Sequence, residues 1–256
     1  MNKTQRIRYA RAVLLAQDSI ALVYQKRIKK ELKEAAHDLE LSYQQNQSSQ
    51  DFGVIQQSHK ERLIKILNDL VLVTVSRFSK IDIFGKKDLF QTQMANNIYA
   101  ELAQNVLTTA ATISATTVAS ATYVIMQQME LSKTKPKAAE PDNIAKAINK
   151  KLNAVSVSRA MTIARTETHR AANTTQFRRA EWAANTANLE VEVEWIATND
   201  GKRVRDNHRH ADGQKRPMGQ TFNVGGDAMR YPGDTRGSAK NTINCRCVLG
   251  YDTIEQ

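Results

Sequence analysis

The sequence predicts an α+β protein, in which an N-terminal bundle of long helices is followed by a small α+β domain with an antiparallel sheet. Apolar residues recur at helical spacing through the first half of the chain, where two glycines and no proline interrupt them. Seven of the ten glycines fall between positions 195 and 247. Directly before them, apolar and polar residues alternate with period two, which is typical of a strand. Helical and strand patterns thus occupy different parts of the chain, as in α+β proteins.

Three long helices are predicted before residue 131. Helical spacing of apolar residues covers 4–45 and 51–79, and the polar run Q-Q-N-Q-S-S-Q at 44–50 predicts a loop between them. Gly85 interrupts the second pattern. Asp88 is the expected N-cap of the third helix, because its carboxylate can accept hydrogen bonds from the unpaired N–H groups of a first helical turn.

The stretch from Leu102 to Met129 contains no charged residue. A membrane-spanning helix is therefore an alternative, since about 20 apolar residues cross a bilayer. The many threonine, glutamine and serine residues in this stretch favour a packed helix instead. Ala111, Ala115 and Ala119 recur every fourth position, and this spacing predicts that another helix approaches closely at that face.

Residues 132–143 read S-K-T-K-P-K-A-A-E-P-D-N and contain two of the four prolines. Such a composition is typical of an exposed linker. We therefore predict a helical domain over 1–131, a linker over 132–143 and a second domain over 144–256.

The second domain is predicted to begin with two helices, a short one over 144–153 and a longer one that Ser156 or Ser158 caps and that ends near Ala184.

Three strands are predicted after these helices. Leu189–Trp195 alternates perfectly, which places its apolar residues inward and its three glutamates outward. Further strands are expected around Gln220–Val224 and Cys245–Tyr251. No long crossover helix separates these stretches, so the sheet should be antiparallel.

Reactive side chains and turn formers concentrate between Trp195 and Cys247. From Asp200 the chain reads D-x-x-R-x-R-x-x-H-x-x-x-D-G, a proline-containing loop follows at Pro232, and N-C-R-C closes the stretch. An R-T-E segment lies on the preceding helix. In this order the features resemble the phage head morphogenesis family, the Mu F-like minor capsid proteins, over roughly residues 155–250. The motif residues are Arg165, Glu167, Trp195, Asp200, Arg203, Arg205, His208, Asp212, Gly213, Asn244, Cys245 and Cys247.

The resemblance implies a minor head protein that acts in head assembly at the portal or inner capsid and is delivered with the DNA. Its implied partners are the portal and the major capsid or scaffolding proteins, with several copies per head. The implied location is the virion, after assembly in the host cytoplasm. A structural role of this kind involves no established reaction, so we expect no enzymatic activity. A membrane-active ejection protein is an alternative that rests on the uncharged stretch alone.

The net charge of +11 favours an acidic partner. Lysine and arginine exceed aspartate and glutamate by four in residues 1–50, by four in 131–154 and by three in 195–256. Dispersed positive charge without a base-reading motif indicates sequence-independent contact with DNA phosphates. A basic solvent-exposed surface without a DNA partner is the alternative.

Two cysteines spaced C-x-C form no disulfide framework. If a metal were bound, the candidate ligands are His208, His210, Cys245 and Cys247, a nitrogen and sulfur set that suits zinc. C-x-C is a weaker zinc signal than C-x-x-C, and free cysteines commonly serve as small buried apolar residues. We therefore expect no bound cofactor, and zinc is the alternative.

Alternating arginines and aspartates between Asp200 and Asp212 predict a polar network that locks the motif loop through paired charges. The same arginines acting as phosphate clamps are the alternative. A zinc-dependent nuclease or hydrolase with Glu167 or His208 as general base is a further alternative. Against an enzyme, the chain has no glycine-rich phosphate loop and no H-E-x-x-H motif.

Overall fold

A computed structural model describes residues 3–80, 92–198 and 204–254. Within these ranges long helices are followed by small antiparallel sheets, which confirms the predicted α+β class. The long helices are α1 Lys3–Asn46, α2 Phe52–Phe78, α3 Thr92–Ser132 and α4 Pro141–Ala187. The remaining elements are a 3₁₀ helix at Pro136–Ala139, the strands β1 Val191–Ile196, β2 Lys215–Pro217, β3 Phe222–Val224, β4 Asp227–Met229 and β5 Val248–Thr253, and the short helices α5 Asp206–Ala211 and α6 Ala239–Thr242.

The first two predicted helices are confirmed to within two residues at each end by α1 and α2. The proposed N-cap of the third helix, Asp88, lies outside the described residues. The chain divides into two compact units: the first comprises Met1–Leu22, Leu70–Leu102 and Arg165–Gln256, and the second comprises Val23–Asp69 and Ala103–Ala164.

Helix α4 differs from the two separate helices predicted for this region. It runs without a break from Pro141 to Ala187, because no glycine or internal proline interrupts it. Ser156 and Ser158 are not caps. Their hydroxyl groups donate to the carbonyls of the third residue before each, at 2.9 and 3.2 Å, so they are satisfied inside the helix.

The core of the second unit takes side chains from all four long helices. Ile144, Ile148 and Leu152 form one stripe of α4, spaced by four residues, and are buried there. Their partners are Ala36, Leu39, Tyr43, Phe52, Ala121 and Val124. The predicted division instead assigned residue 144 onward to the C-terminal domain. The linker predicted at 132–143 also lies inside this unit. The predicted domain boundary itself stays a prediction.

The uncharged part of α3 packs with a face other than the predicted one. Ala115 and Ala119 are exposed, whereas Ala110, Ala121 and Val124 are buried. Larger apolar residues share the buried face, and their burial stabilises more than that of alanine. Within the described ranges, one helical segment, Gln93–Ser132, is long and apolar enough to cross a membrane, and 33% of its most apolar window is buried.

The first unit contains the sheets. Strand β1 lies between β2 and β5 and pairs with both in antiparallel register, while β3 and β4 form a separate antiparallel hairpin. The antiparallel arrangement was predicted, but the short strands β2 and β4 were not. The third predicted strand begins three residues late, at Val248, so Cys245 and Cys247 lie in an irregular segment before it.

The alternation in β1 is correct for its apolar residues and wrong for one glutamate. Val191, Val193 and Trp195 are buried as expected. Glu194 is also buried, at 8% exposure, because Nε of Arg6 from α1 lies 2.7 Å from its carboxylate. An inward charge of this kind is tolerated when it is paired. The β1 side chains contribute to a core that includes Phe177, Phe222, Met229, Tyr231, Cys245, Cys247 and Leu249.

Candidate functional site

The motif residues meet in the first unit, around the irregular segment Asn244–Cys247 that leads into β5. The middle of α4 supplies Thr166 and His169, β1 supplies Trp195, and α5 supplies His208. Two charged residues of α1, Arg6 and Asp18, also contact this region, and neither had been predicted. The site is therefore built by parts of the chain that are distant in sequence.

The backbone of the segment Asn244–Cys247 is held by side chains from α4 and from the end of β1. Its N–H at Asn244 donates to Oγ1 of Thr166 at 2.9 Å. Nε2 of His169 donates to the carbonyl of Cys247 at 2.7 Å, and the Thr198 hydroxyl donates to the carbonyl of Arg246 at 2.9 Å. These contacts replace the ladder bonds that a buried irregular segment lacks.

Asparagine suits position 244 for a conformational reason. Its φ of 54° lies in the left-handed region, which asparagine and glycine adopt more readily than other residues do. The turn directs the chain from α6 into the segment that carries both cysteines. The motif residue Asn244 thus has a conformational role, because it allows the backbone to turn at this position.

Arg246 connects this segment to α1. Its two terminal nitrogens each lie 3.1 Å from a carboxylate oxygen of Asp18, a bidentate pair. The motif residue Arg165 places its Nε 3.8 Å from the same carboxylate. One aspartate of α1 therefore faces two arginines, one from α4 and one from the N-C-R-C segment.

The motif pair Asp212–Gly213 fixes the turn after α5 to the end of β1. Oδ1 of Asp212 accepts from the N–H of Ala197 at 2.8 Å and from Arg6 at 2.6 Å. The N–H of Gly213, whose φ is 79°, donates to the carbonyl of Trp195 at 2.8 Å. Glycine is favoured at this left-handed position. The partners of Asp212 come from outside its own loop.

Glu167 is buried and paired within α4. Its two carboxylate oxygens accept from Arg170 at 2.9 and 2.7 Å. Burial raises the pKa of the Glu167 carboxyl, and the charge and hydrogen bonds of Arg170 oppose that rise. Both oxygens are engaged by an arginine, so the carboxylate serves as an ion-pair partner in this structure.

His208 and the two cysteines form a buried cluster, which we call the thiol–imidazole cluster. Nδ1 of His208 lies 3.3 Å from Sγ of Cys247 and 3.6 Å from Sγ of Cys245. All three side chains are at most 3% exposed. The imidazole stands edge-on to the ring of Trp195, at 6.0 Å between centroids. Within the described ranges Nε2 of His208 has no hydrogen-bond partner.

The pKa values of the two thiols in this cluster are shifted in opposite directions. Burial opposes ionisation of Cys245, but hydrogen bonding to Cys247 and the nearby His169 and His208 lower the pKa of its thiol well below the ordinary value. Burial and the interaction with Cys245 raise the pKa of the Cys247 thiol well above it.

The remaining candidates are Asp200, Arg203, Arg205 and His210. Asp200 and Arg203 fall outside the described residues. Arg205 donates to the carbonyl of Ile243 at 2.6 Å. His210 is exposed on α5, away from the three-residue cluster. Within the described part of the loop, charge pairing inside the motif is limited to an exposed contact of 3.4 Å between Arg209 and Asp206.

Sequence reasoning missed several residues that hold the site. Arg6 and Asp18 lie about 200 residues from their partners, and nothing in a single sequence marks such pairs. His169 lies two residues after the R-T-E segment of α4, but no role was predicted for it. Asp234, in the R-Y-P-G-D loop, is fully buried and accepts from the side chain of Arg236 at 2.8 Å. Burial alone would raise the pKa of the Asp234 carboxyl, but the hydrogen bonds that this carboxylate accepts outweigh that effect and lower the pKa.

Replacing Asp212 tests the structural role of the motif aspartate. Asp212→Ala removes the acceptor for both the Ala197 N–H and Arg6, and we expect a loss of about 1–3 kcal/mol in the free energy of unfolding. The matched control is Asp206→Ala at the start of α5, where the carboxylate is 87% exposed, and its effect should stay within about 0.5 kcal/mol. Urea denaturation measures both variants. Equal effects of the two substitutions would contradict the scaffold role.

Comparison with known proteins supports the resemblance noted from the sequence. Residues 137–250 match the family described as Phage Mu protein F like protein. Minor head protein GP7 of Bacillus phage SPP1 is 34% identical over 109 residues, which is 42% of this chain and 34% of that protein. The chain therefore covers about a third of that relative's length. No solved structure matches the chain significantly. The resemblance is confirmed over residues 137–250, which are similar to this family and which we call the Mu F-like region.

Proposed function

We propose that the protein is a phage minor head protein that takes part in head assembly. The observation that carries this proposal is the match of residues 137–250 to the Mu F-like family, with a relative whose name is that of a minor head protein. The contacts of the described motif residues support this proposal, because they join α4, the end of β1, α5 and the segment Asn244–Cys247 to one another. A motif whose residues pair with distant parts of the chain suits a module that must be stable in an assembly.

The chemistry of the site supports a structural role over an enzymatic one. Two small cavities touch Cys245, and each has a volume of about 10 Å³. This volume accommodates about one water molecule, whereas small-molecule sites have volumes of about 300–1,000 Å³. Glu167, the candidate general base, is engaged by Arg170 through both oxygens. A zinc-dependent nuclease is the competing proposal, and digestion assays with and without added zinc distinguish the two.

We further propose protein partners at the portal or inner shell of the head. In the second unit, α3 exposes large apolar side chains next to its uncharged threonine-rich face: Tyr123 is 56% exposed and Met126 65%. Aromatic and methionine side chains are enriched at protein interfaces. This face suits a helical or flat surface of the portal, major capsid or scaffolding proteins, repeated in several copies per head.

Contact with packaged DNA is the third element of the proposal. The second unit carries many exposed lysines, on three of its helices and in the connection before α4. They are Lys26, Lys30, Lys33, Lys65, Lys133, Lys135, Lys137, Lys146, Lys150 and Lys151. Long flexible ammonium side chains contact phosphates without reading bases. Such contacts are compatible with delivery of the protein together with the DNA.

Mass spectrometry of purified phage heads tests the proposal. We expect the protein in mature heads in several copies, retained by protein contacts. After the heads are opened and digested with nuclease, the protein should stay with the shell or portal fraction. The control is lysate from a host in which heads do not assemble, carried through the same gradient. Absence of the protein from heads would contradict the central proposal, and release by nuclease alone would contradict the protein partners.

Titration with double-stranded DNA at several salt concentrations tests the DNA contact. We expect affinity to fall steeply with salt and to be the same for unrelated sequences, since each phosphate contact contributes about −0.9 to the slope of log K against log salt. The triple variant K146Q/K150Q/K151Q should reduce that slope by up to about 3. The single variant K65Q, on another helix, should reduce it by about 1 at most. Affinity that does not change with salt would exclude backbone contact.

A further inference from the structure

The thiol–imidazole cluster has the geometry of a metal site. In a tetrahedral zinc site, bonds of about 2.0–2.1 Å to nitrogen and 2.3 Å to sulfur place a ligating nitrogen about 3.5 Å from a ligating sulfur. The observed distances from Nδ1 of His208 to the two sulfurs are 3.3 and 3.6 Å. All three ligand atoms lie within 4.8 Å of one another. Both nitrogen–sulfur distances therefore match those of a tetrahedral zinc site.

We propose that His208, Cys245 and Cys247 bind one zinc ion. Two thiolates and one imidazole are the donors that zinc prefers. The proposal goes beyond the role in head assembly and does not depend on it. It also differs from the sequence-based expectation of no cofactor, which rested on the weak C-x-C spacing and on the common burial of free cysteines as small apolar residues.

Neighbouring groups hold the proposed ligands of the cluster in place through hydrogen bonds. The irregular segment, rather than a strand, carries both cysteines, and the N–H of Cys247 points to Sγ of Cys245 at 3.5 Å. Nε2 of His169 donates to the carbonyl of Cys247 at 2.7 Å. Supporting hydrogen bonds of this kind orient ligands and are a regular feature of metal sites. The ligands are thus placed by the fold before any ion binds.

Room for a fourth ligand exists beside the cluster. A cavity of about 10 Å³ is lined by all three ligands together with Thr198, Val204, Arg205, Asn244 and Arg246. Its size suits a single water molecule. Three protein ligands and one water complete a tetrahedral coordination sphere. Because Trp195 and the surrounding apolar core bury the cluster, the ion should exchange slowly and contribute to folding stability.

Metal analysis of the full chain tests the site. Protein purified under reducing conditions from zinc-supplemented cells, without a histidine tag, should contain about one zinc per chain by elemental analysis. X-ray absorption of this protein should show two sulfur ligands at about 2.3 Å and nitrogen or oxygen ligands at about 2.0–2.1 Å. Absence of zinc both in the purified protein and after reconstitution would overturn the proposal. Zinc that has only nitrogen and oxygen neighbours would overturn it equally.

Substitution of each proposed ligand tests which residues bind the zinc ion. Cys245→Ser, Cys247→Ser and His208→Gln should each lower zinc affinity by at least about 100-fold, the upper end of what loss of a mere supporting residue costs. His210→Gln, on the exposed side of α5, is the matched control and should retain wild-type affinity. A chelator should lower the melting temperature of the wild type and of His210→Gln alike. If a ligand variant fails to fold, the sulfur count from the wild-type absorption spectrum still decides the question.

Discussion

The hydrogen bonding of a buried, irregular stretch of backbone constrains the whole Mu F-like region. The segment Asn244–Cys247 enters the core without a strand partner, and unpaired backbone groups there would each cost about 1–3 kcal/mol. Helix α4 meets this requirement with Thr166 and His169, which bind the two ends of the segment. Asp18 of α1 pairs with Arg246 between them. The position of the two cysteines follows from these contacts.

This constraint gives the motif a physical interpretation. Asn244 supplies a left-handed turn, Gly213 another, and Asp212 joins the end of β1 to Arg6. Each of these residues is required by backbone geometry or by charge pairing, without reference to a substrate. The polar contacts surround the thiol–imidazole cluster, whose chemistry is distinct because its side chains are buried, soft and close together. A scaffold of ion pairs around the proposed zinc centre accounts for both groups of residues in one arrangement.

Much of the fold could be predicted because its signals are local. Helices α1 and α2 follow from periodicity, and the burial of Val191, Val193 and Trp195 follows from strict alternation. The continuous path of α4 was missed because serines were interpreted as caps, although they can also bond within a helix. The short strands β2 and β4 have three residues each, too few to produce a recognisable pattern.

The residues of the candidate site could be predicted from the sequence, but the contacts that they make could not. His208, Cys245 and Cys247 were named from composition, and their assembly follows from the turn at Asn244 and the position of α5. The partners on α1 were invisible, since Arg6 and Asp18 are about 200 residues from the groups that they bind. The alternating charges of the motif loop suggested internal pairs, yet the contact of Asp212 reaches α1 instead. Long-range pairing of this kind is decided by packing, for which a single sequence holds no local signal.

Native-state hydrogen exchange of the segment Asn244–Cys247 tests the central claim most directly. If the side chain of Thr166 holds this backbone, the amide of Asn244 should exchange nearly as slowly as those of β1, and far more slowly than the amides of the exposed connection at 133–140. Thr166→Val keeps the shape of the side chain and removes the hydroxyl, so it should release the amide of Asn244 while leaving β1 protected. Exchange of the wild-type segment as fast as that of 133–140 would contradict the account.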